Sequence, residues 1–178
     1  PKFRPGDPDA PILPAFDIRI DRLQIERLNL ADGVAGPPRR VDLAAGVLIR
    51  DGKALIRADG KLGGGERLFA LLDAEPDRDR FDLKLDYAAP KGGLLAGLTG
   101  ADRAVRLAIG GKGSWRHWQG ALLAEADGRR LAALRLNNQA GTFGALGLAW
   151  PEDMLDGIAA RAAGKTVAIA ASGTFADR

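Results

Sequence analysis

What most constrains this chain is an alternation of apolar and polar residues with a period of two, repeated in short runs along most of its length. Phe16, Ile18 and Ile20 alternate with Asp17, Arg19 and Asp21, the spacing that sends successive side chains to opposite faces of a β-strand. Phe81, Leu83, Leu85 and Tyr87 alternate with Asp82, Lys84 and Asp86, and Val105, Leu107 and Ile109 alternate with Arg106 and Ala108. Val41 and Leu43 precede an Arg50-Asp51-Gly52 turn, Ala54, Ile56 and Ala58 follow it, and Leu68, Ala70 and Leu72 lie beyond Gly63-Gly64-Gly65. Asp-Gly between alternating runs is a hairpin signal. Trp118 to Ala126, Leu131 to Leu136, Thr142 to Trp150 and Thr166 to Phe175 read as further strands, the first two of these joined by Asp127-Gly128-Arg129-Arg130. About ten strands with short turns predict an all-β fold.

Three segments depart from the alternation. Residues 1–15 carry five prolines between Pro1 and Pro14 and read as an extended lead-in, leaving 16–178 as a single β-rich unit. Pro90 to Leu98 is a short apolar knot expected to form a turn of helix over a sheet end. Glu152 to Ala163 is the predicted helix: Pro151 precedes it, acids open it, Leu155, Ile158, Ala159 and Ala162 share one face, and Arg161 and Gly164 close it. Its expected place is over an exposed apolar face. Phe16 to Asp21 and Phe81 to Asp86 match class for class, an echo that any amphipathic strand also produces.

Charge and composition exclude several classes of function. Lys and Arg number 26 against 23 Asp and Glu, for a net +3, and acids stand beside bases throughout, without the clustered basic face and stacking aromatics of a nucleic-acid binder. With no cysteine in its 178 residues, the chain has no disulfide, thiolate metal site or cysteine nucleophile. No stretch approaches the ~20 apolar residues that span a bilayer, and the start, Pro1-Lys2-Phe3-Arg4-Pro5, lacks the apolar run of a signal peptide. Beginning without Met and with a Pro-rich lead, the chain reads as a piece excised from a longer one, so that an anchor or export signal could lie outside it.

Nothing in the inventory assembles into catalytic chemistry. His117 is the one histidine, and Ser114 lies three residues before it, but no acid nearby in sequence orients the ring as a hydrolase requires. Trp115 and Trp118 beside it read as aromatics packing at a strand start. Gly164-Lys165-Thr166 resembles the end of a phosphate-binding loop, yet Ala159 stands where the first glycine belongs, and the tripeptide leaves the predicted helix instead of opening one. Gly63-Gly64-Gly65 and Gly110-Gly111-Lys112-Gly113 read as turns or bulges between strands. The acids alternate with Arg and Lys on one strand face, which is the pattern of a solvated surface. The expectation is a non-enzymatic chain with no cofactor, no metal site and no catalytic residue.

The order of features resembles the TamB family of AsmA-like envelope proteins. The resemblance is carried by the run from Leu13 to Leu23, Leu28-Asn29-Leu30, Val34-Ala35-Gly36 and the Arg50-Asp51-Gly52-Lys53-Ala54 turn. Asp79 to Leu83 leading to Ala89-Pro90-Lys91-Gly92-Gly93-Leu94-Leu95-Ala96 continues it, followed by Gly111 to Gly120 and Pro151 to Gly157. These blocks span most of the chain, and one departure, Ala89 in place of the family's usual acid before the Pro-x-Gly-Gly turn, falls on a turn. The resemblance implies a periplasmic segment of a protein anchored in the inner membrane of a Gram-negative bacterium, folded as an elongated, curved, antiparallel or mixed β-sheet groove, the β-taco. It implies phospholipid acyl chains as cargo between the two membranes, or else a role in assembling outer-membrane β-barrels and autotransporters with an Omp85-type partner, TamA, engaged through other parts of the protein. The apolar phases then give the expected groove lining: Ile18, Ile20, Ile25, Val41, Leu43, Ile56, Leu68, Leu83, Leu85, Leu107, Ile109, Val167 and Ile169.

Overall fold

The structure is a computed structural model that describes residue 13 and residues 16–31, 38–93, 103–150 and 164–174. Ten strands form one antiparallel sheet in which each strand pairs with its neighbours in sequence. They are β1 (Ile18–Leu30), β2 (Arg39–Arg50), β3 (Lys53–Lys61), β4 (Arg67–Glu75) and β5 (Arg80–Ala89). The sheet continues through β6 (Val105–Gly113), β7 (His117–Ala126), β8 (Arg129–Gln139), β9 (Thr142–Ala149) and β10 (Val167–Thr174). The all-β expectation is met, with one unforeseen turn of 3-10 helix at Pro76–Arg78. The predicted helix from Glu152 to Ala163 lies outside the described residues, as do most of the lead-in and Leu94 to Leu98. The described part of that apolar knot is a turn closed by the Gly93 N–H to the Pro90 carbonyl at 3.2 Å.

Local chemistry explains the tight connections. Asp51-Gly52 and Asp127-Gly128 take positive φ at both positions, 50° and 71°, then 48° and 76°, the two-residue hairpin turn whose twist suits the flanking strands. Gly63, Gly64 and Gly65 do form a turn, with φ of 86°, 59° and 89°. Gly110-Gly111-Lys112-Gly113 does not. These residues pair fully with both neighbours as the end of β6, where a side chain is unwelcome: a Cβ on the facing Gly120 would lie 2.4 Å from the Gly110 carbonyl oxygen.

Register divides the side chains into two faces. Residues directly opposite in an antiparallel pair share a face, so the pairing of Ile56 with Val47 and Leu72, of Leu72 with Leu83, and of Leu85 with Ile109 defines one continuous apolar surface. It runs on through Leu122, Leu134, Ala145 and Ile169 to the edge of β10.

β1 joins this surface only because it bulges twice. Ile18 and Ile20 occupy even positions, Leu23 and Ile25 odd ones, and Leu28 and Leu30 even ones again, so a straight strand would turn Leu23 and Ile25 toward the polar side. Register shifts between Ile20 and Leu23 and between Ile25 and Leu28 place two residues opposite one, the geometry of a β-bulge. All six apolar side chains thereby stay in phase with Ile49, Val47, Ala45, Leu43, Val41 and Arg39 of β2. The second bulge is tied by the Arg27 N–H, at φ 56°, donating to Asp42 Oδ1 at 2.8 Å.

A candidate lipid-binding face

The apolar surface has packed rims and an open middle. Among the described residues, the buried apolar side chains are Val41, Ala54, Ala74, Phe81, Tyr87, Ala89 and Ala126, and every one sits on the apolar face near a strand end. Between them, Leu43, Val47, Leu72, Leu83, Leu85, Leu107, Ile109, Leu122 and Leu134 are only half-buried and Ile56 is exposed. No described element is layered over them. Ten strands at about 4.8 Å spacing, each giving roughly eight residues at about 3.3 Å, make a face on the order of 1,000 Å² with its rims included.

One rim is aromatic. Phe81 stacks on Trp115 with centroids 4.8 Å apart, meets Trp118 edge-on at 6.5 Å, and Trp118 lies 6.2 Å from Phe143. Trp115 is half-exposed, yet its turn is clamped from both sides. Its N–H donates to Asp79 Oδ1 at 2.8 Å, and its carbonyl accepts from Asn138 Nδ2 at 2.9 Å, while Asn138 Oδ1 accepts the Gly141 N–H at 2.9 Å. Asn138, buried on an otherwise apolar row, is therefore satisfied on both ends of its amide. A single carboxylate gathers the neighbouring turns at this end: Glu75, almost fully buried, bonds Arg80 and pairs with Arg78 at 3.0 Å and Lys53 at 3.6 Å. Burial pushes its pKa up, but Arg80, with Lys53 and Arg78, outweighs that and holds it below the ordinary glutamate value.

The opposite rim closes around Glu66, which is 1% exposed and accepts a hydrogen bond from the Tyr87 hydroxyl. The β3–β4 turn that carries it is fixed by Glu66 N–H to Gly63 O at 2.9 Å and Leu62 N–H to Glu66 O at 3.0 Å. Between the rims the apolar face carries no charged residue among the described positions, which permits contact with hydrocarbon without the several kcal/mol that an unpaired ion would cost there.

All thirteen residues expected to line a groove lie on this face: Ile18, Ile20 and Ile25 on β1, Val41 and Leu43 on β2, Ile56 on β3, Leu68 on β4, Leu83 and Leu85 on β5, Leu107 and Ile109 on β6, and Val167 and Ile169 on β10. Val41 belongs to a packed rim and not to the open middle. Leu23 and Leu28 join the face although simple alternation misses them; the signal was their spacing of three from the preceding apolar residue. Trp115 and Asn138 were legible only as residues, since the contacts that position them cross turns distant in sequence.

The opposite face is polar but not uniformly so. Arg19 pairs with Asp21 at 2.6 Å and Arg57 with Asp59 at 2.9 Å along their own strands, while Leu48, Leu55, Leu146 and Leu148 are exposed there. A hollow of about 960 Å³ opens on this side, with Asp42, Asp59, Lys61, Arg67, Arg106 and Phe69 among its lining, both signs of charge interleaved. The residues set aside as non-catalytic stand apart from either feature. Ser114 meets only the main chain of His117, whose backbone N–H donates to Ser114 Oγ at 2.9 Å in a turn, and Lys165 sits in an exposed bend. Among the described residues no group of three or more His, Asp or Glu is placed to hold a metal ion, and no helix is long and apolar enough to cross a membrane. No family model, curated protein or solved structure matches the chain.

Proposed function

We propose that this chain is a non-enzymatic, periplasmic length of a TamB-like protein, and that its apolar sheet face carries phospholipid acyl chains between the inner and outer membranes. The observation that carries the reading is the contrast between packed rims and a middle that is apolar and uncharged over ten strands and that no described element covers. Burial of each methylene against such a face gains roughly 0.8 kcal/mol, without any side-chain chemistry. Movement along the face exchanges one aliphatic contact for another, so selectivity among acyl chains is broad. Native mass spectrometry with lipid extraction of the purified chain tests this: co-purified phospholipid is expected, and a lipid-free chain that also fails to take up phospholipid from vesicles would overturn it.

A second reading, a scaffold for outer-membrane β-barrel and autotransporter assembly beside an Omp85-type protein, draws on a different feature. β10 is a regular strand with one side paired and the other free among the described residues, as strand addition requires.

A further inference from the structure

Both signs of charge line the hollow on the polar face, but one row there is of a single sign. Lys61 stands directly opposite Arg67, Arg67 opposite Ala88, and Ala88 opposite Arg106. Three cations thus share one row across β3 to β6, with only a methyl group between the second and the third. Like charges directly opposed in an antiparallel pair are destabilising. All three side chains are exposed and line the hollow of about 960 Å³. Elsewhere on this face Arg19 pairs with Asp21 and Arg57 with Asp59, whereas Lys61, Arg67 and Arg106 form no ion pair among the described residues. Three acids of the lining are already engaged: Asp59 by Arg57, Asp42 by the Arg27 N–H at 2.8 Å, and Glu26 by the Gln24 amide. The fourth, Asp86, stands one row deeper, opposite Phe69. From this row we infer that the hollow binds an oxyanion, a phosphate group held over Ala88 between Arg67 and Arg106 with Lys61 beside them. The α-carbons of the two arginines are two strand spacings apart, about 10 Å, and both side chains leave the same face of the sheet. Their guanidinium forks can therefore close on one tetrahedral anion from either flank, as planar paired donors suit phosphate oxygens. Ala88 leaves open the space between them. The anion offsets the repulsion along the row, so binding and stability are coupled. This site lies on the face opposite the one proposed to carry acyl chains and does not depend on that reading.

The test uses the intact chain with two probes, inorganic phosphate and vesicles of phosphatidylcholine containing phosphatidylglycerol. In chloride at low ionic strength, Arg67→Gln removes one of two opposed charges and should raise the thermal midpoint by roughly 1–3 °C. Arg135→Gln, on the same face of β8 but outside the hollow, should leave it unchanged. Phosphate in place of chloride at constant ionic strength should raise the midpoint of the parent chain and shift the Arg67 and Arg106 side-chain N–H resonances saturably. Arg67→Gln and Arg106→Gln should each weaken that binding at least about fivefold. The vesicles identify the source of the phosphate: co-sedimentation that phosphate competes away and that both variants lose assigns the site to lipid headgroups, and a response to phosphate without co-sedimentation assigns it to a soluble anion. No saturable response to either probe, responses that Arg135→Gln weakens as much as Arg67→Gln does, or a midpoint lowered by Arg67→Gln in chloride would each overturn the inference.

Discussion

The rims and the middle of the apolar face are made from the same kinds of residue and have opposite characters. At the rims, turns fold back over the strand ends, so Phe81 gains Trp115 and Trp118 as neighbours and Tyr87 gains the carboxylate of Glu66. In the middle, Leu85 and Ile109 face each other across β5 and β6 with nothing described above them. A single-layer sheet cannot bury its own centre, because a residue there has neighbours only beside it. Among the described residues, packing is therefore closest at the strand ends, and no described element covers the middle.

Phe81→Asp removes a packed aromatic and buries an unpaired carboxylate, together expected to cost about 4 kcal/mol or more, enough to abolish cooperative thermal unfolding. Leu85→Asp, in the open middle, should cost only about 1–2 kcal/mol because its carboxylate keeps access to water. Its larger effect should be loss of co-purifying phospholipid, scored by extraction from a protein whose circular dichroism is unchanged. Equal destabilisation by the two substitutions would show that the middle is a filled core. At the other rim, Tyr87→Phe removes the hydroxyl that bonds Glu66 and should cost about 1 kcal/mol, visible as a shifted urea midpoint with unchanged slope.

The smallest effect is a pH dependence at the aromatic rim. The lowered pKa of Glu75 means that its contribution is fully present above the unfolded glutamate pKa and is lost as pH falls through the lower folded value. Arg80→Gln should move the acid limb of the thermal-stability profile to higher pH. A limb that does not move would place its origin in other carboxylates.

Much of this arrangement was legible in the residues. The strict alternation in β5 and β6 leaves a single phase consistent with burial, and Asp51-Gly52 and Asp127-Gly128 announce their hairpins. β1 was harder, because Asp21-Arg22 and Glu26-Arg27 interrupt the period with paired polar residues, and only pairing with β2 shows that each pair is absorbed in a bulge. Gly110 to Gly113 reads locally as a turn, and becomes strand because Gly120 lies close against it. The clamps at Trp115 depend on Asp79 and Asn138, 36 and 23 residues away, and such contacts have no local signature. The polar face of β7 to β9 also carries Leu123, Leu146 and Leu148, which blurs the alternation on which the reading rests.

On the proposed function, the middle of the apolar face meets hydrocarbon in the cell. A photo-crosslinking residue at Leu85 or Ile109, compared with one at Lys84 or Arg106 on the opposite face, tests this directly. Phospholipid adducts are expected from Leu85 and Ile109 and none from Lys84 and Arg106; adducts of equal yield from both faces, or none from either in a stable and abundant protein, would overturn the proposed function.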